Sequence, residues 1–297
     1  MVPSREVARR NPCARPVVSS GMRRHRLPRL VLAVALAGCL AAVPLGADEP
    51  VPTDQQLLFL KNAKVVKARP IGKGVTGALR LTLTDGRLTH DAAFQAVDEK
   101  ASARDIREGR KRAGELLFVD SYRYNIAAWE LSRLLSLDGM MPATVERRHN
   151  GSIGALSWWV DDVLMDEAER ERTNAAPAGG TVAMVRARQR MMVFAELVYD
   201  TDRNKGNVIY TRDWRVVMLD FTRAFRTQPT LRRPDVLSSC DRNLLARLRA
   251  LTKQDVTGAV GSQLLPAEVD AIMTRRELIV DHFDRLVKEK GEAAVLY

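Results

Sequence analysis

The residues of this chain that are best suited to chemistry lie between positions 200 and 220, in the run DTDRNKGNVIYTRDWRVVMLD. Asp202 is followed five positions later by Asn207, and Asp220 ends the run. Carboxylate and amide oxygens are hard ligands of the kind that Mg²⁺ takes, a cation that leaves its other positions to water or phosphate. A neighbouring carboxylate can accept or orient the proton of a reacting hydroxyl. The run therefore contains candidate oxygen ligands for Mg²⁺ and a candidate base among Asp202, Asn207 and Asp220.

Two other interpretations of this run remain open. Asp200, Asp202 and Asn204 alternate like ligands 1, 3 and 5 of a calcium-binding loop, although Gly206 comes one position late and Thr211 stands where a bidentate glutamate is expected. Asp, Asn and Gly are also the residues that turns favour, so the run can be a polar turn between a helix and a hairpin. A calcium-loop protein is kept as a minor alternative.

A glycine-rich segment lies far upstream, between two strand-like stretches. In IGKGVTG, Gly72, Gly74 and Gly77 have G-x-G-x-x-G spacing, which allows backbone N–H groups to approach phosphate oxygens closely. A tight turn is the plain alternative. The following segment, LRLTLTDGRLTHDAAFQAV, predicts a β-hairpin that turns at Asp85-Gly86.

The next elements are a helix and a second hairpin. The apolar spacing in SYRYNIAAWELSRLLSL predicts a helix over residues 121–137. Asn150-Gly151 predicts a hairpin that ends at Trp158 and Trp159. Core packing is the default expectation for these two indoles, and contact with a ligand is the alternative.

The sequence pattern predicts that the second half of the chain is mostly helical. Residues 161–182 lack periodicity and contain NAAPAGGT, so they are interpreted as a connection between two lobes. A helix over about 183–199 leads into the chemical run. Residues beyond about 235 are expected to be helical, and the last helix is expected to begin at Pro266, a favoured first-turn proline.

Residues 1–47 are interpreted as a targeting leader, followed by a polar spacer at 48–55. A basic stretch, MRRHRLPR, precedes the apolar LVLAVALAG, and these two zones in this order are typical of export signals. LAGC places Cys39 where bacterial lipoproteins are cut and lipidated, so the mature chain is expected to begin at Cys39. The expected location is the cell envelope, with the protein held at the membrane by its lipid.

Other readings of the leader stay open. Cleavage after Ala47 would release a periplasmic or secreted protein. The uncharged run Leu30–Gly46 could instead remain as a membrane anchor, although it is short for a span. Met22 begins a more ordinary signal than Met1 does, so either methionine can be the true start.

The net charge does not indicate a nucleic-acid partner. Of the formal charge of +11, residues 1–38 contribute +7 from eight arginines and one glutamate, which leaves 11 − 7 = +4 for the rest. A basic leader is expected of an exported protein and is removed on maturation. We therefore expect no nucleic-acid binding, and we expect a monomer.

Several motifs together resemble the protein-kinase-like superfamily, closest to its phosphatidylinositol 3-/4-kinase-like and HipA-like branches. DRNKGN followed by VVMLDF is similar to the catalytic loop and metal-binding aspartate of the lipid kinases. YNIAAWELSRLL followed by GMMPATVERR is similar to the helix and strand of the same group, and RRELIVDHFDRLVKEKGEAAVLY resembles exported bacterial members. The resemblance covers about residues 65–297. It implies an α+β, bilobal fold, with a β-rich N-lobe containing one long helix at 56–160 and a mostly helical C-lobe at 161–297.

The resemblance also implies roles for particular residues. Asp202 would be the catalytic base, Asn207 and Asp220 would hold Mg²⁺, and the loop that includes Gly72, Lys73, Gly74 and Gly77 would cover the phosphates of ATP.

Two positions depart from the family pattern. Gln95 stands where a strand lysine would pair with the phosphates, and the partner glutamate of that lysine would fall near Asn125, with Glu130 one turn further on. Lys73 or Lys205 is the alternative source of the missing charge.

The function implied is Mg²⁺-dependent transfer from ATP to a hydroxyl of an unknown lipid, protein or small-molecule acceptor. A catalytically weak, pseudokinase-like module that binds a nucleotide or another ligand is one alternative. A nucleotidyl transferase is another. Arginines 223, 226, 232 and 233 follow the metal-binding position and can either attract an acidic acceptor or form a solvated loop.

Overall fold

The computed structural model describes residues 50–72, 77–100 and 119–297, without the side chain of Lys100. The leader, including Cys39, lies outside the described residues, as do Lys73 and Gly74. Residues 50–297 form one compact unit. In the described part of the chain, no helix combines the length and the apolar character that crossing a membrane requires.

The first half of the described chain is rich in strands. Its elements are α1 (Thr53–Asn62), β1 (Lys64–Pro70), β2 (Leu79–Thr84), β3 (Thr89–Gln95), β4 (Asp98–Lys100), β5 (Val119–Ser121), α2 (Arg123–Leu134), β6 (Thr144–His149) and β7 (Ser152–Trp158). A short 3₁₀ turn, Asp138–Met140, follows α2. The predicted helix over 121–137 is confirmed with shorter bounds, because Ser136 turns into the left-handed region at φ 54°.

Five of these strands form one antiparallel sheet in the order β1-β2-β3-β7-β6. Both predicted hairpins are confirmed. Asn150 and Gly151 join β6 to β7 with φ values of 47° and 84°, as a two-residue hairpin with two left-handed positions requires. Gly86, at φ 90°, turns the chain between β2 and β3. Strands β4 and β5 form a separate pair that the sequence analysis did not predict.

The second half is mainly helical around a small sheet. Its elements are β8 (Val163–Asp166), α3 (Glu167–Thr173), α4 (Val182–Leu197), β9 (Val208–Thr211), β10 (Val216–Met218), α5 (Arg242–Ala250), α6 (Lys253–Val260), α7 (Pro266–Lys290) and α8 (Glu292–Val295). The strands pair in the order β10-β9-β8. The helices expected before the chemical run, after residue 235 and from Pro266 are confirmed.

The interpretation of residues 161–182 as an aperiodic connection is wrong in part. Strand β8 and helix α3 lie within this stretch, and β8 is paired with β9. The strand is only four residues long and its register shifts between Val163 and Met165, so it has no alternating pattern. Asp166 begins α3 as its N-cap by accepting a hydrogen bond from the Glu169 N–H over 2.8 Å. The division of the lobes at residue 160 stays a prediction.

One apolar core runs through both halves. Its largest fully buried side chains include Trp129 on α2, Phe194 on α4, Tyr210 on β9 and Phe283 on α7. Helix α2 packs against the sheet on one side and against α6 on the other. Because α2 is in contact with both halves, it positions the sheet relative to the helical body.

Candidate active site

A cavity of about 900 Å³ lies between the five-stranded sheet and the smaller sheet. Ile71, Ala78 and Ala93 line it from the larger sheet and its first loop, and Ile209 and Met218 line it from the smaller one. Apolar walls of this kind favour a flat apolar group, and the volume is in the range typical of small-molecule sites.

The connection after β7 closes one end of the cavity. Trp158 and Trp159 both line it, so both indoles lie where they can contact a ligand. The His90 ring stacks on Trp158, with centroids 3.7 Å apart, and its Nε2 lies 2.6 Å from Asp161 Oδ2. Arg80 lies 4.0 Å above the Trp159 ring. His90 does not line the cavity itself but contacts two residues that do, and the sequence analysis did not single it out because no histidine in the sequence shows metal spacing.

The opposite end of the cavity is polar and contains two of the predicted residues. Asn207 and Asp220 line it together with Asn204 and Gly206. The Asn207 side-chain nitrogen donates to the Asp202 carbonyl oxygen over 3.0 Å, which leaves the amide oxygen of Asn207 as its acceptor atom. The carbonyl of Asn207 in turn accepts a hydrogen bond from the Leu219 N–H at 2.9 Å.

Asp202 lies beside this end of the cavity but does not line it. Its Oδ1 accepts a hydrogen bond from the Asn204 side chain at 3.0 Å, and its Oδ2 lies 3.3 Å from the Arg223 guanidinium. The side chain is about one-third exposed. A partly exposed carboxylate held by two partners is positioned to meet a hydroxyl that approaches from solvent.

Asp220 adopts a left-handed backbone conformation with φ 53°. Its Oδ1 accepts hydrogen bonds from the Thr222 N–H at 3.2 Å and the Thr222 hydroxyl at 2.8 Å. Its Oδ2 lies 3.4 Å from Gln95 Nε2. A non-glycine residue in this region is uncommon and is retained where the surrounding structure requires it, frequently at functional sites.

Arg203 joins the segment of Asp202 to the segment of Asp220. Its guanidinium donates to the carbonyl oxygens of Asn207 at 2.9 Å and Leu219 at 2.6 Å, and it lies 2.5 Å from the buried carboxylate of Asp200. Asp200 also accepts a hydrogen bond from the Asp202 N–H at 3.0 Å. Asp200, which would be the first ligand of a calcium-binding loop, is therefore already engaged in an ion pair with Arg203.

Gln95 and Asn125, the two positions that depart from the family pattern, are paired with each other. The Asn125 side-chain nitrogen donates to Gln95 Oε1 over 2.6 Å, and Asn125 Oδ1 accepts a hydrogen bond from the Phe221 N–H over 2.6 Å. Strand β3, helix α2 and the segment after β10 are thus joined by uncharged amides. The sequence analysis had matched both positions but had not predicted this contact.

Of the remaining predicted residues, the four that the structure describes do not line the cavity. Gly72 and Gly77 flank the loop between β1 and β2, which the Ile71 N–H closes by donating to the Ala78 carbonyl at 2.9 Å. The Glu130 carboxylate lies 3.4 Å from Arg133, and Lys205 pairs with Glu171. Neither Glu130 nor Lys205 lines the cavity.

Three of the four arginines that follow Asp220 have internal partners for their side chains. Arg223 donates to Asp120 over 2.9 Å as well as approaching Asp202. Burial opposes its charge, but the hydrogen bond to Asp120 and the neighbouring carboxylates raise the pKa of Arg223. Arg226 donates to the Val119 carbonyl, and Arg232 donates to the Asp200 carbonyl. Arg223, Arg226 and Arg232 therefore help to hold the site together.

Asn207 and Asp220 are the predicted ligands at the polar end of the cavity that could hold a metal ion. Within residues 50–72, 77–100 and 119–297, no group of three or more His, Cys, Asp or Glu side chains could hold a metal ion. Asn207 and Asp220 would supply two protein oxygens, which is the small number that Mg²⁺ takes when phosphates and water complete its shell. Ca²⁺ takes about six to eight oxygen ligands.

The similarity of this chain to known proteins is structural. No family model matches it, and no curated protein matches it. The structure of a hydra Fam20 protein with sugar is similar to it with a TM-score of 0.61 at 16% identity, covering 85% of this chain and 94% of that one. The Golgi casein kinase is similar with a TM-score of 0.57 at 12% identity, covering 82% of this chain and 78% of that one. The chain therefore has the α+β, bilobal protein-kinase-like fold.

Proposed function

We propose that this protein is a Mg²⁺-dependent phosphotransferase that transfers the terminal phosphoryl group of ATP to a hydroxyl. The observation that carries the proposal is that Asn207 and Asp220 meet at the polar end of the cavity between the two sheets, with Asp202 directly outside its lining. In a kinase-like fold this arrangement places the metal ligands at the phosphates and the base on the acceptor side.

Each of these side chains has a role that follows from its contacts. Asp202 would accept or orient the acceptor proton, held in place by Asn204 and Arg223. Asn207 and Asp220 would hold Mg²⁺, which when bound neutralises the charge that develops on the transferred group. Arg203 keeps the two segments in register through the Asn207 and Leu219 carbonyls.

Binding is tested first by thermal unfolding with ATP and Mg²⁺. The wild-type protein should be stabilised, and Asp220→Ala should lose that stabilisation. Asp281→Ala, an exposed change on α7, is the matched control and should respond like the wild type. Stabilisation by calcium alone would favour the calcium loop, and no response to ATP with Mg²⁺ would contradict the proposal.

Turnover is tested with labelled ATP and a mixture of lipid, protein and small-molecule acceptors. Label from the γ-phosphate should move to an acceptor, and Asp202→Ala should abolish the transfer. Label that moves from the α-phosphate instead would indicate a nucleotidyl transferase.

A pseudokinase-like binding module is the second candidate, and one observation favours it. Gln95 and Asn125 replace two charged positions of the family pattern with a neutral pair. A protein of this kind would be stabilised by ATP with Mg²⁺ but would transfer no label. Asp202→Ala would then change neither the stabilisation nor the transfer.

We propose, finally, that the protein belongs to the phosphatidylinositol 3-/4-kinase-like or HipA-like branch and is exported as a lipoprotein. The similarity of DRNKGN and VVMLDF to the lipid kinases and the order of zones in residues 1–47 support this. Cys39→Ser should move the protein from the membrane fraction to the soluble fraction. Unchanged fractionation would contradict lipidation at Cys39.

A further inference from the structure

We infer that Asp120, a buried carboxylate on β5, controls the proposed base Asp202 by holding Arg223 between the two carboxylates. Asp120 would be a positioning residue, since it does not line the cavity and acts on Asp202 through Arg223. The inference rests on the proposed function, because it concerns how the base of the same site is regulated. It extends that function to the β4–β5 pair, to which the sequence analysis gave no role.

Arg223 is held more closely by Asp120 than by Asp202. Its Nε donates to Asp120 Oδ2 over 2.9 Å, while its Nη1 lies 3.3 Å from Asp202 Oδ2. Charge-assisted hydrogen bonds between nitrogen and oxygen are usually about 2.7–2.9 Å long. The contact with Asp120 is therefore a full hydrogen bond, and the contact with Asp202 is a looser ion pair. Arg223 thus orients Asp202 without fully engaging its carboxylate.

The burial of Asp120 indicates that this carboxylate has a specific role. Its side chain is 4% exposed, and its Oδ1 is buried and finds no hydrogen-bond partner among the described residues. A buried polar atom that is left unsatisfied costs free energy, so its retention calls for a specific reason. The ion pair that the other oxygen of Asp120 makes with Arg223 supplies that reason.

Backbone contacts link strand β5 to the loop of the proposed base. The Ser121 N–H donates to the Thr222 carbonyl over 2.8 Å, which joins β5 to the residue before Arg223. The Arg223 carbonyl accepts a hydrogen bond over 2.7 Å from the hydroxyl of Thr201, the residue before Asp202. Strand β5, the segment that contains Arg223 and the loop that contains Asp202 are therefore linked in series. A displacement of β5 would reach Asp202 through these contacts.

The charge of Arg223 makes its position important. Burial acts against this charge, but Asp120, Asp202 and Asp220 raise the pKa of the guanidinium. A weaker hold by Asp120 would allow the charged side chain to move toward another carboxylate. Movement toward Asp202 would tighten that ion pair and engage the oxygen that accepts the proton. Movement toward Asp220 would instead disturb the proposed metal ligand, and the two cases differ in their effect on ATP affinity.

The experiment measures transfer of the γ-phosphoryl group of labelled ATP to water, an acceptor that needs no identification. In that reaction Asp202 takes a proton from the water and later releases it to solvent. The water oxygen bonds to the γ-phosphorus, and the bond from that phosphorus to the β–γ bridging oxygen breaks and leaves ADP. Asp120→Asn keeps the shape of the side chain but removes its charge, so kcat should fall by about tenfold to 100-fold, as expected for a misplaced base. The affinity for ATP with Mg²⁺ should stay within about twofold of the wild type.

Asp98→Asn is the matched control on the same strand pair. Asp98 lies on β4, accepts a hydrogen bond from the Ser121 hydroxyl and lies 3.8 Å from the Arg123 guanidinium. This variant should keep the kcat of the wild type. An equal loss of kcat in Asp98→Asn and Asp120→Asn would show that the strand pair has a structural role alone, and would contradict the inference.

A double-mutant cycle tests whether Asp120 acts through Arg223. Arg223→Met should lower kcat, and adding Asp120→Asn to it should cause less than about a twofold further loss. Effects that multiply would overturn the inference, since Asp120 would then act independently of Arg223. If either single variant does not fold, Arg223→Lys carries the test, because lysine keeps the charge but not the fork that spans two carboxylates. That variant should lower kcat with the ATP affinity unaltered.

Three further outcomes separate the inference from the proposed function. A loss of ATP affinity in Asp120→Asn as large as the loss of kcat would show that Arg223 acts on Asp220, and would contradict the inference. An unchanged kcat in Asp120→Asn, beside a wild type that turns over, would overturn the inference and leave the proposed function intact. A wild type that releases no phosphate to water or to the acceptor mixture would contradict the proposed function itself.

Discussion

Arg203 lies 2.5 Å from Asp200, and both side chains are almost completely buried, with 7% and 0% of their side-chain surface exposed. This ion pair lies beneath the loop that contains Asp202. Because Arg203 also binds the carbonyls of Asn207 and Leu219, one guanidinium fixes both segments that supply the proposed metal ligands. The sequence places Arg203 next to Asp202 but does not show that its contacts reach residues 16 positions away.

Replacing Arg203 should therefore damage stability and binding together. Arg203→Met leaves the Asp200 carboxylate buried without its counter-charge, and removing one member of a buried pair costs about 3–5 kcal/mol of unfolding free energy. The loss is measured by denaturant unfolding, and stabilisation by ATP with Mg²⁺ should disappear. Arg172→Met is the control, because Arg172 and Glu169 form an exposed pair that should contribute at most about 1 kcal/mol. Equal losses in the two variants would show that the buried pair has no special role.

Arg275 on α7 makes a second long-range connection to the site. It is fully buried and donates to the carbonyls of Leu197 at 2.7 Å, Arg226 at 2.9 Å and Gln228 at 2.6 Å. Burial lowers the pKa of Arg275 to about 10. The side chain thus connects the C-terminal helix to the end of α4 and to the segment after Asp220.

Arg275→Met should destabilise the protein by about 2–4 kcal/mol. One buried and two partly buried carbonyls would lose a donor, each loss costing up to about 1–3 kcal/mol, while removal of a desolvated charge offsets part of that sum. Denaturant unfolding measures the change. Arg285→Met, on the exposed face of the same helix, should change the unfolding free energy by less than about 0.5 kcal/mol. An equally small change for Arg275→Met would mean that the carbonyls find other partners.

Local signals made part of this fold predictable. Asp85-Gly86 and Asn150-Gly151 identified both hairpins because the left-handed conformation of Gly86, Asn150 and Gly151 is a property of a few adjacent residues. Pro266 identified the start of α7 for a similar reason. Strand β8 carried no such signal, since its four residues owe their conformation to pairing with β9.

The site was predictable as a set of residue types but not as a network. The sequence analysis predicted that Asn207 and Asp220 act at one site, and the structure brings both to the cavity. The Phe221 contact with Asn125 joins residues 96 positions apart, and such a separation leaves no local pattern. Glu130, proposed as a partner at the site, lies beside Arg133, because one further helical turn moves a side chain along the helix and away from the cavity.

The pH dependence of stability should reveal a buried carboxylate at Glu167. Burial alone would raise its pKa, but hydrogen bonds from Arg170 and Tyr210, with the charge of Arg188, lower the pKa of Glu167 to about 2. The folded pKa lies below the ordinary value of 4.5. The stabilisation is therefore fully present above about pH 4.5 and is lost as the pH falls toward 2.

This contribution is measured by the unfolding free energy across that range. A shift from 4.5 to about 2 corresponds to about 3 kcal/mol between the two ends. Glu167→Gln should be less stable at pH 7 and should have a shallower slope between pH 4.5 and 2. Glu289→Gln, an exposed change, should keep the wild-type slope. If the unfolding free energy of all three proteins has the same slope against pH, carboxylates other than Glu167 cause the acid unfolding.

Gly154 on β7 should be intolerant of any side chain, because the backbone of Gln95 lies directly against it. A Cβ atom there would lie 2.3 Å from the Gln95 carbonyl oxygen and 2.9 Å from Phe94 Cε2. Strand β3 would have to move away, and the Gln95 side chain that contacts Asp220 would move with it. Gly154→Ala should destabilise the protein by about 1–3 kcal/mol, the usual cost of overpacking, and should weaken binding of ATP with Mg²⁺ by about tenfold.

The matched control is Gly258→Ala in helix α6, where a Cβ atom would meet nothing within 4 Å. That change should stabilise the protein by up to about 1 kcal/mol, because alanine is the better helix former, and it should leave nucleotide affinity unaltered. Thermal and denaturant unfolding give the stability of both variants, and fluorescence titration gives the affinity. Loss of stability in Gly154→Ala with wild-type affinity would show that β3 can shift without moving Asp220. Loss of both would show that packing between β3 and β7 sets the position of Asp220.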